Sequence, residues 1–434
     1  MEMNSKEICL YTLEALKRAG ADMAAVRAYK SKADELNVQA KEVRLLRTVF
    51  STGIAIKAVK DQKKGTISIN KAEKEEIDTA VAACMEALEG ATPDEAEGVA
   101  EVTENANFVS GDPEGDLEAL YDRVREFIGQ VEDKYPKVVL EELVAEYIHQ
   151  ELCYMTSTGV EYNEEGGLYG FSTTFSAHEG EKGSSFNYYG ARFERPDKPL
   201  LSLGMTEELI RESQESLETG SVDGKFEGTI VLTPASIDNL IGTIISNFIS
   251  DTPLMDGTSI WKNAKGTRVA SECFNLVIDP EAEGIVPVGT HITSDGYPIH
   301  KLDLIRNGVL RNFMLSRYGA KKTGMVRTYG SAANILVLPG EDALSDIIGS
   351  IEKGIYVQRL SGGSPSATGE FSGVAKNSFL IENGKITRPV SETMVSMNMA
   401  EMIKNIRGIS RETANDGMGP QPWIAMDGVT ISGK

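Results

Sequence analysis

Residues 138–177 read VVLEELVAEYIHQELCYMTSTGVEYNEEGGLYGFSTTFSA, and their texture decides the fold class. Apolar and polar positions alternate through Val138 to Tyr147, Glu151 to Ser157 and Gly167 to Ala177, the two-residue period of half-buried strands. The same texture returns at Ser184 to Phe193, Gly228 to Leu232 and Phe274 to Ile278. Helical periodicity is sparse after Lys137, confined to Thr206 to Leu217, Pro234 to Phe248, Ala343 to Glu352 and Ala400 to Ile406. Strands without regular helical crossovers exclude a Rossmann-type sheet and predict an antiparallel barrel or sandwich.

Upstream, helices and strands mix. Asn4 and Glu7 pair as a capping box, and Gly20 closes the first helix. Val26 to Lys30, Leu36 to Ala40, Val43 to Phe50, Gly53 to Val59 and Gly65 to Ile69 read as strands, with a tight turn at Gln62 to Gly65. A second helix carries Ile77, Val81, Cys84 and Leu88 on one face. Asp116 to Tyr135 is the clearest helix, its stripe made by Leu117, Leu120, Tyr121, Val124, Phe127, Ile128 and Val131 and its end by Pro136. The acidic, apolar-poor stretch Thr92 to Glu104 reads as a surface loop. The expected architecture is α+β: a mixed α/β two-layer domain over residues 1–200, then a mainly antiparallel, barrel-like β domain over 201–434.

The 434 residues carry 44 Lys and Arg against 65 Asp and Glu, a net charge of −21. That balance argues against gripping nucleic acid by its phosphates and against docking on an anionic membrane. No apolar run approaches the ~20 residues of a membrane span. The N-terminus lacks the basic-then-apolar pattern of a signal peptide, so a cytoplasmic protein is expected. Cys9, Cys84, Cys153 and Cys273 form no CxxC pair and read as free thiols.

The search for chemistry is mostly negative. His149, His178, His291 and His300 show no HExxH spacing and no i,i+4 pair on a predicted helix. Gly362 to Gly373, GGSPSATGEFSG, is dense in glycine and serine but holds neither a G-x-S-x-G elbow nor a GxxxxGK[ST] phosphate loop. It reads as a tight loop between strands, or as a loop whose Ser364, Ser366 and Ser372 contact peptide. Asp279, Glu281 and Glu283 read as a solvated acidic turn, with a cation site as the alternative. Asn383-Gly384 and Asn307-Gly308 are hairpin signals, and Trp261, Trp423 and the Met394 to Met402 run read as core.

Several stretches, in order along the chain, resemble the TldD/PmbA family, nearer to its PmbA (TldE) branch. They are Gly53-Ile54-Ala55-Ile56 with Gln62-Lys63-Lys64-Gly65, Ala91-Thr92-Pro93-Asp94, Met155 to Val160, Ser294-Asp295-Gly296, Ile305 to Leu310, and Leu315 to Gly324. Thr368 to Gly373, Phe379 to Gly384, Pro389-Val390 and Met399 to Ile406 complete the set. The resemblance implies a fold whose TldD branch is a zinc metallopeptidase with an HExxxH helix and a late cysteine. It also implies a PmbA branch that lacks the metal site and pairs with TldD. On this resemblance the metal helix is Ile237 to Ser250, where Gly242, Thr243 and Asn247 stand in place of His, Glu and His, and the late cysteine falls near Met418.

Three readings follow. The first is a non-catalytic PmbA/TldE-type subunit, without cofactor of its own, zinc being expected only in a TldD-type partner. It would form a heterodimer with that partner, or a homodimer, around a peptide substrate, with the β-rich domain supplying much of the contact. The second is a hydrolase of other chemistry near Ser364, Ser366 or Ser372. The third is a free-standing homodimeric binding or regulatory protein of the DNA-gyrase-modulator family.

Overall fold

The computed structural model describes residues 3–39, 41–101, 105–289, 291–328 and 334–433. Ala40 and residues 102–104, the ends of one predicted strand and of the predicted acidic loop, lie outside them.

The first sheet has the order Lys63–Ile69, Glu42–Lys60, Met23–Gln39, Val138–Thr156, Glu161–Glu179, Ala106–Ser110, with Asn187–Phe193 also on Glu161–Glu179. Its strands are longer than predicted. The pairs read as separate segments, 26–30 with 36–40, 43–50 with 53–59 and 138–147 with 151–157, are each one strand of 17 to 19 residues. Alternation fades along 42–51 of the Glu42–Lys60 strand, which is mostly exposed on both faces, while Leu36 and Val38 opposite it stay buried. The backbone ladder continues there because it needs no apolar side chains. The turn after Lys60 comes earlier than predicted. It is Asp61-Gln62, at φ 52° and 61°, a primed turn made without glycine.

Helices Ser5–Arg18 and Lys74–Glu89 pack on the inner end of this sheet around Cys9, Cys84, Cys153, Ile54 and Ile56. The first has the capping box, the Asn4 side chain accepting from Glu7 N while Glu7 accepts from Asn4 N. Leu117–Lys134 is capped by Asp116 and buries Leu120, Val124, Phe127, Ile128 and Val131 against the sheet. Leu117 and Tyr121, predicted within its buried stripe, are 36% and 38% exposed and share a shallow groove with Leu46. The stretch predicted as an acidic surface loop is packed at Ala96, Glu97, Val99 and Ala100. Its few apolar residues wedge between the sheet and helix Arg317–Thr323.

The second large sheet runs Arg359–Ser361, Glu370–Lys376, Thr393–Asn398, Pro420–Ser432, Lys225–Leu232, Lys353–Val357, Ser378–Glu382, Lys385–Val390, with Ile406–Asn415 pairing Pro420–Ser432. It is antiparallel except for Lys353–Val357 against Lys225–Leu232. Both Asn-Gly hairpins form, with all four turn residues at positive φ. Trp261 and Trp423 are buried, and within the Met run Met397, Met399 and Met402 are buried while Met394 faces out. Leu276–Ile278 belongs to a smaller sheet with Leu302–Arg306, Val309–Leu310 and Ile335–Val337. One core joins the two large sheets: Phe171, Phe193 and Leu209 pack with Val231, Tyr356 and Trp423.

Truncating Val124 or Ile128 to Ala should destabilise the fold by about 1–4 kcal/mol as large-to-small core changes, whereas Leu117→Ala should stay within about 0.5 kcal/mol. Urea denaturation of the three variants checks this ordering; near-neutral values for both core variants contradict the packing described.

Candidate functional site

A cleft of about 690 Å³ opens where the Asn187–Phe193 strand of the first sheet meets the second. The predicted helix at Pro234 to Phe248 forms one wall. It begins at Asp238, continues as α-helix to Thr243, and passes into a π-helical turn over Ile244–Ile249. Asp238, Ile241, Gly242 and Ile245 line the cleft. Their three- and four-residue spacing is one helical face. Leu240, Ile244 and Phe248 are buried behind it, Phe248 lying 4.6 Å from the Trp261 ring. Ser250 N donates to Ile245 O at 3.0 Å, the five-residue bond of π winding. This winding is held by core packing, since Ile244, Phe248 and Ile249 are all buried.

The facing wall is the loop Asn415-Asp416-Gly417-Met418-Gly419. The Asn415 side chain accepts from the Gly417 and Gly419 amides and donates to Gly284 O at 2.8 Å. Gly417 and Gly419 take φ of 93° and 114°, open to glycine alone at low cost. Asp416 and Met418 line the cleft from this loop.

Gly242 and Met418 thus share one cavity. Thr243 and Asn247 do not line it. Thr243 is buried and its hydroxyl donates to Asn239 O at 2.7 Å. Asn247 turns away, its amide donating to Ser366 O at 2.8 Å and binding the helix to the glycine-serine loop. The Met418 thioether accepts from Arg192 at 3.6 Å. A side chain at Gly242 would meet nothing within 4 Å, so the space is open but unfurnished. Zinc at a catalytic site takes about three imidazole, thiolate or carboxylate ligands from the protein. The side chains at these four positions do not fit it. Among the described residues no group of three or more His, Cys, Asp or Glu is placed to hold a metal ion.

The serines lie outside the cleft. Ser366 and Thr368 donate to the Glu370 carboxylate, which these hydroxyls hold down at about 2. Ser372 pairs with the Ser396 hydroxyl at 2.9 Å, and Ser364 is exposed. His149, His178 and His291 are engaged by Glu165, Ser176 and Glu164. In the acidic turn, Asp279 pairs with Lys301.

Asp238, Asp416 and Arg359, the charged groups that line the cleft, are ones that sequence patterning does not single out. Asp238 opens the helix and looks like an ordinary first-turn acid; Asp416 sits inside a loop notable only for Met418. Both carboxyls are raised above their usual range, chiefly by the protein that displaces water around them, Asp238 also by the charge of Asp416. Behind the cleft, Gln358 donates to Glu212 at 2.7 Å and accepts from Thr233 at 2.9 Å. Tyr356 donates to Glu208 at 2.6 Å and accepts from the Trp423 indole at 2.8 Å. Burial, then the neighbouring charge of Glu208, holds the Glu212 carboxyl well above the ordinary range. Spaced i,i+4 on an amphipathic helix, Glu208 and Glu212 carry no sequence signal that separates them from a solvated face.

Residues 225–433 match the family described as PmbA/TldA metallopeptidase C-terminal domain. The C-terminal half of the chain thus matches the C-terminal domain of the TldD/PmbA family, and the likeness to a PmbA homologue runs the length of the chain. A metalloprotease PmbA homologue of Haemophilus influenzae is 23% identical over 100% of this chain and 97% of its own. A metalloprotease TldD homologue of Buchnera aphidicola is 29% identical over 41% of this chain and 42% of its own. The chain therefore spans less than half the length of the TldD homologues it matches. The crystal structure of TldE from Thermococcus kodakarensis has the same fold, with a TM-score of 0.81 at 21% identity over 97% of this chain and 100% of that one. A Bacteroides thetaiotaomicron structure named as a modulator of DNA gyrase superposes with a TM-score of 0.82 at 22% identity over 99% of each chain.

A buried acid whose folded pKa is raised binds its proton more tightly folded than unfolded. Its penalty is absent below the unfolded pKa, grows as pH climbs from there, and is complete above the folded one. Glu212→Gln keeps the shape and the hydrogen bond from Gln358. The variant should melt higher than wild type at neutral pH, with the advantage vanishing below about pH 4.5, the ordinary Glu range. Thermal melts from pH 4 to 8 check it; parallel curves for the two proteins contradict it.

Proposed function

We propose that this chain is a non-catalytic PmbA/TldE-type subunit of a TldD/PmbA-like zinc metallopeptidase system, completing a peptide-binding cleft beside a partner that carries the metal. One observation carries the reading. The cleft, its π-wound helix and its glycine-hinged loop are built in full, while the positions of the expected ligands hold a glycine, a buried threonine, an asparagine committed to a loop and a methionine. Such a cleft can hold an extended peptide along its walls. It has nothing with which to activate water by the zinc route. The aromatic rim suits the same role, Arg359 lying 5.1 Å over the Tyr188 ring and 5.3 Å over Phe186. The partner is a TldD-type subunit, and the substrate is a peptide held where Asp238 and Asp416 favour basic side chains.

The purified chain should carry no stoichiometric zinc and no chelator-sensitive peptidase activity. Elemental analysis finding one tightly held zinc per chain overturns this. Co-expressed with an HExxxH relative, it should co-elute on a sizing column, and hydrolysis of a casein-derived peptide should appear only in the mixture. Clean separation with a partner fully active alone defeats the subunit reading and favours the free-standing binding role.

A further inference from the structure

A second pocket, of about 270 Å³, lies away from the cleft, over the inner face of the first sheet. Its floor is one cross-strand row, in which Tyr154 pairs with Arg27, Arg27 with Ala55, and Ala55 with Ser68. Arg27 has a paired strand on each side, so its backbone is fixed. Ala25 and Ala55 beside it are small and leave a hollow. The roof comes from the packed 96–100 segment and from the Ser294–Gly296 and Ser316–Tyr318 runs. These are two of the stretches that carry the family resemblance, and the cleft uses neither.

The roof is rigid. Asp295 accepts from the Arg317 amide at 2.8 Å and pairs with Arg327 at 3.2 Å. Gly296 holds φ +85° against the Tyr154 ring, where a Cβ would come within 2.0 Å of a ring carbon. The Arg317 guanidinium lies on Gly98, where a Cβ would meet it at 2.3 Å, and donates to Ala96 O at 3.1 Å.

Within this frame the half-buried Arg27 guanidinium has no hydrogen bond and no ion pair among the described residues. Of the carboxylates near it, Glu97 and Asp295 are engaged by other cations, whereas Glu164, whose Oε2 is buried without a hydrogen-bond partner, reaches Arg27 through its charge alone. Glu97 pairs with Lys57 at 2.8 Å and Lys64 at 2.6 Å, Asp295 with Arg327, and Glu164 accepts from the Gly289 amide and binds His291 at 3.0 Å. A guanidinium removed from water without a partner is costly. Burial pulls its pKa down, and the charge of Glu164 only partly opposes that. The chain as a whole carries −21, so a guanidinium left without a hydrogen bond at a half-open hollow stands against its surroundings.

We propose that this pocket binds a small monocarboxylate, with Arg27 receiving both carboxylate oxygens and the wall of Ala25, Ala55, Val99 and Ala100 receiving a short apolar body. The planar guanidinium matches a carboxylate in bidentate geometry. The hollow is too small for a drug-sized ligand, and suits a body of a few carbons. The carboxylate belongs either to a free small acid or to the C-terminal residue of a peptide. The proposal is independent of the subunit reading, since it concerns a different cavity.

Isothermal titration calorimetry on the full chain tests it with three probes: N-acetylalanine, trialanine, and N-acetylalanine amide as the uncharged control. N-acetylalanine should bind and the amide should not. Binding by trialanine as well assigns a chain terminus; its failure assigns a free acid. Arg27→Gln should weaken binding roughly tenfold or more, as expected for a lost charged hydrogen bond, with Arg27→Lys in between. Ala55→Leu, which fills the hollow without touching charge, should abolish binding and keeps the test decisive if Arg27→Gln folds poorly. Binding by neither acid, equal binding of the amide, or undiminished affinity in Arg27→Gln and Ala55→Leu overturns it.

Discussion

The Trp423 indole donates to the Tyr356 hydroxyl, and that hydroxyl donates to Glu208. This short relay sits at the seam where the two large sheets share one core, and the cleft depends on the seam. Trp423 and Tyr356 come from the second sheet, Glu208 from a helix that also packs on the first. A polar relay in such a place must be fully satisfied, because each unpaired buried group would cost about 1–3 kcal/mol. Meeting that condition ties the Thr206–Glu215 helix, whose Leu209 lines the cleft, to the second sheet.

The cleft and the smaller pocket are built on opposite principles. The cleft is broad and lined by Asp238, Asp416 and Arg359, both carboxyls pushed upward by their surroundings, and its rim offers aromatic rings. The pocket is smaller and mostly apolar, with the Arg27 guanidinium facing it. A strongly acidic chain that keeps a half-buried guanidinium without a hydrogen bond spends stability there, and sites of that kind are where function concentrates. In the cleft wall, the π turn is held by aliphatic and aromatic packing.

Much of the fold was legible in the sequence. The capping box of Asn4 and Glu7, the helix from Asp116 and both Asn-Gly hairpins are local signals with local causes, and each is present, with Leu117 and Tyr121 lying off the helix's buried face. Strand ends were not legible where the Glu42–Lys60 strand leaves the core, since alternation reports burial and the backbone ladder does not require it. The Asp61-Gln62 turn was displaced in the reading because two non-glycine residues take left-handed conformations there. The packing of Ala96 to Ala100 was hidden by acidic neighbours. For the cleft, the sequence placed Gly242 and Met418 in one cavity only through resemblance. It was silent on Asp238, Asp416 and Glu212, whose environment is assembled from distant segments.

The roof of the small pocket also bears on how the chain reaches its native state. Tyr318 and Lys322 bind Asp94, and Arg317 and Lys321 bind the carbonyls of Ala96 and Glu95, across separations of 221 to 228 residues. Met23–Gln39 likewise waits for Val138–Thr156 before its second edge is covered. Loop closure over such spans must precede the contacts that reward it, and this slows folding. On a ribosome the N-terminal hairpin therefore emerges long before its neighbours, with an open strand edge of the kind that invites wrong pairing. Charged residues of the Met23–Gln39 strand, Lys30, Lys32, Asp34 and Glu35 among them, blunt that edge while it waits.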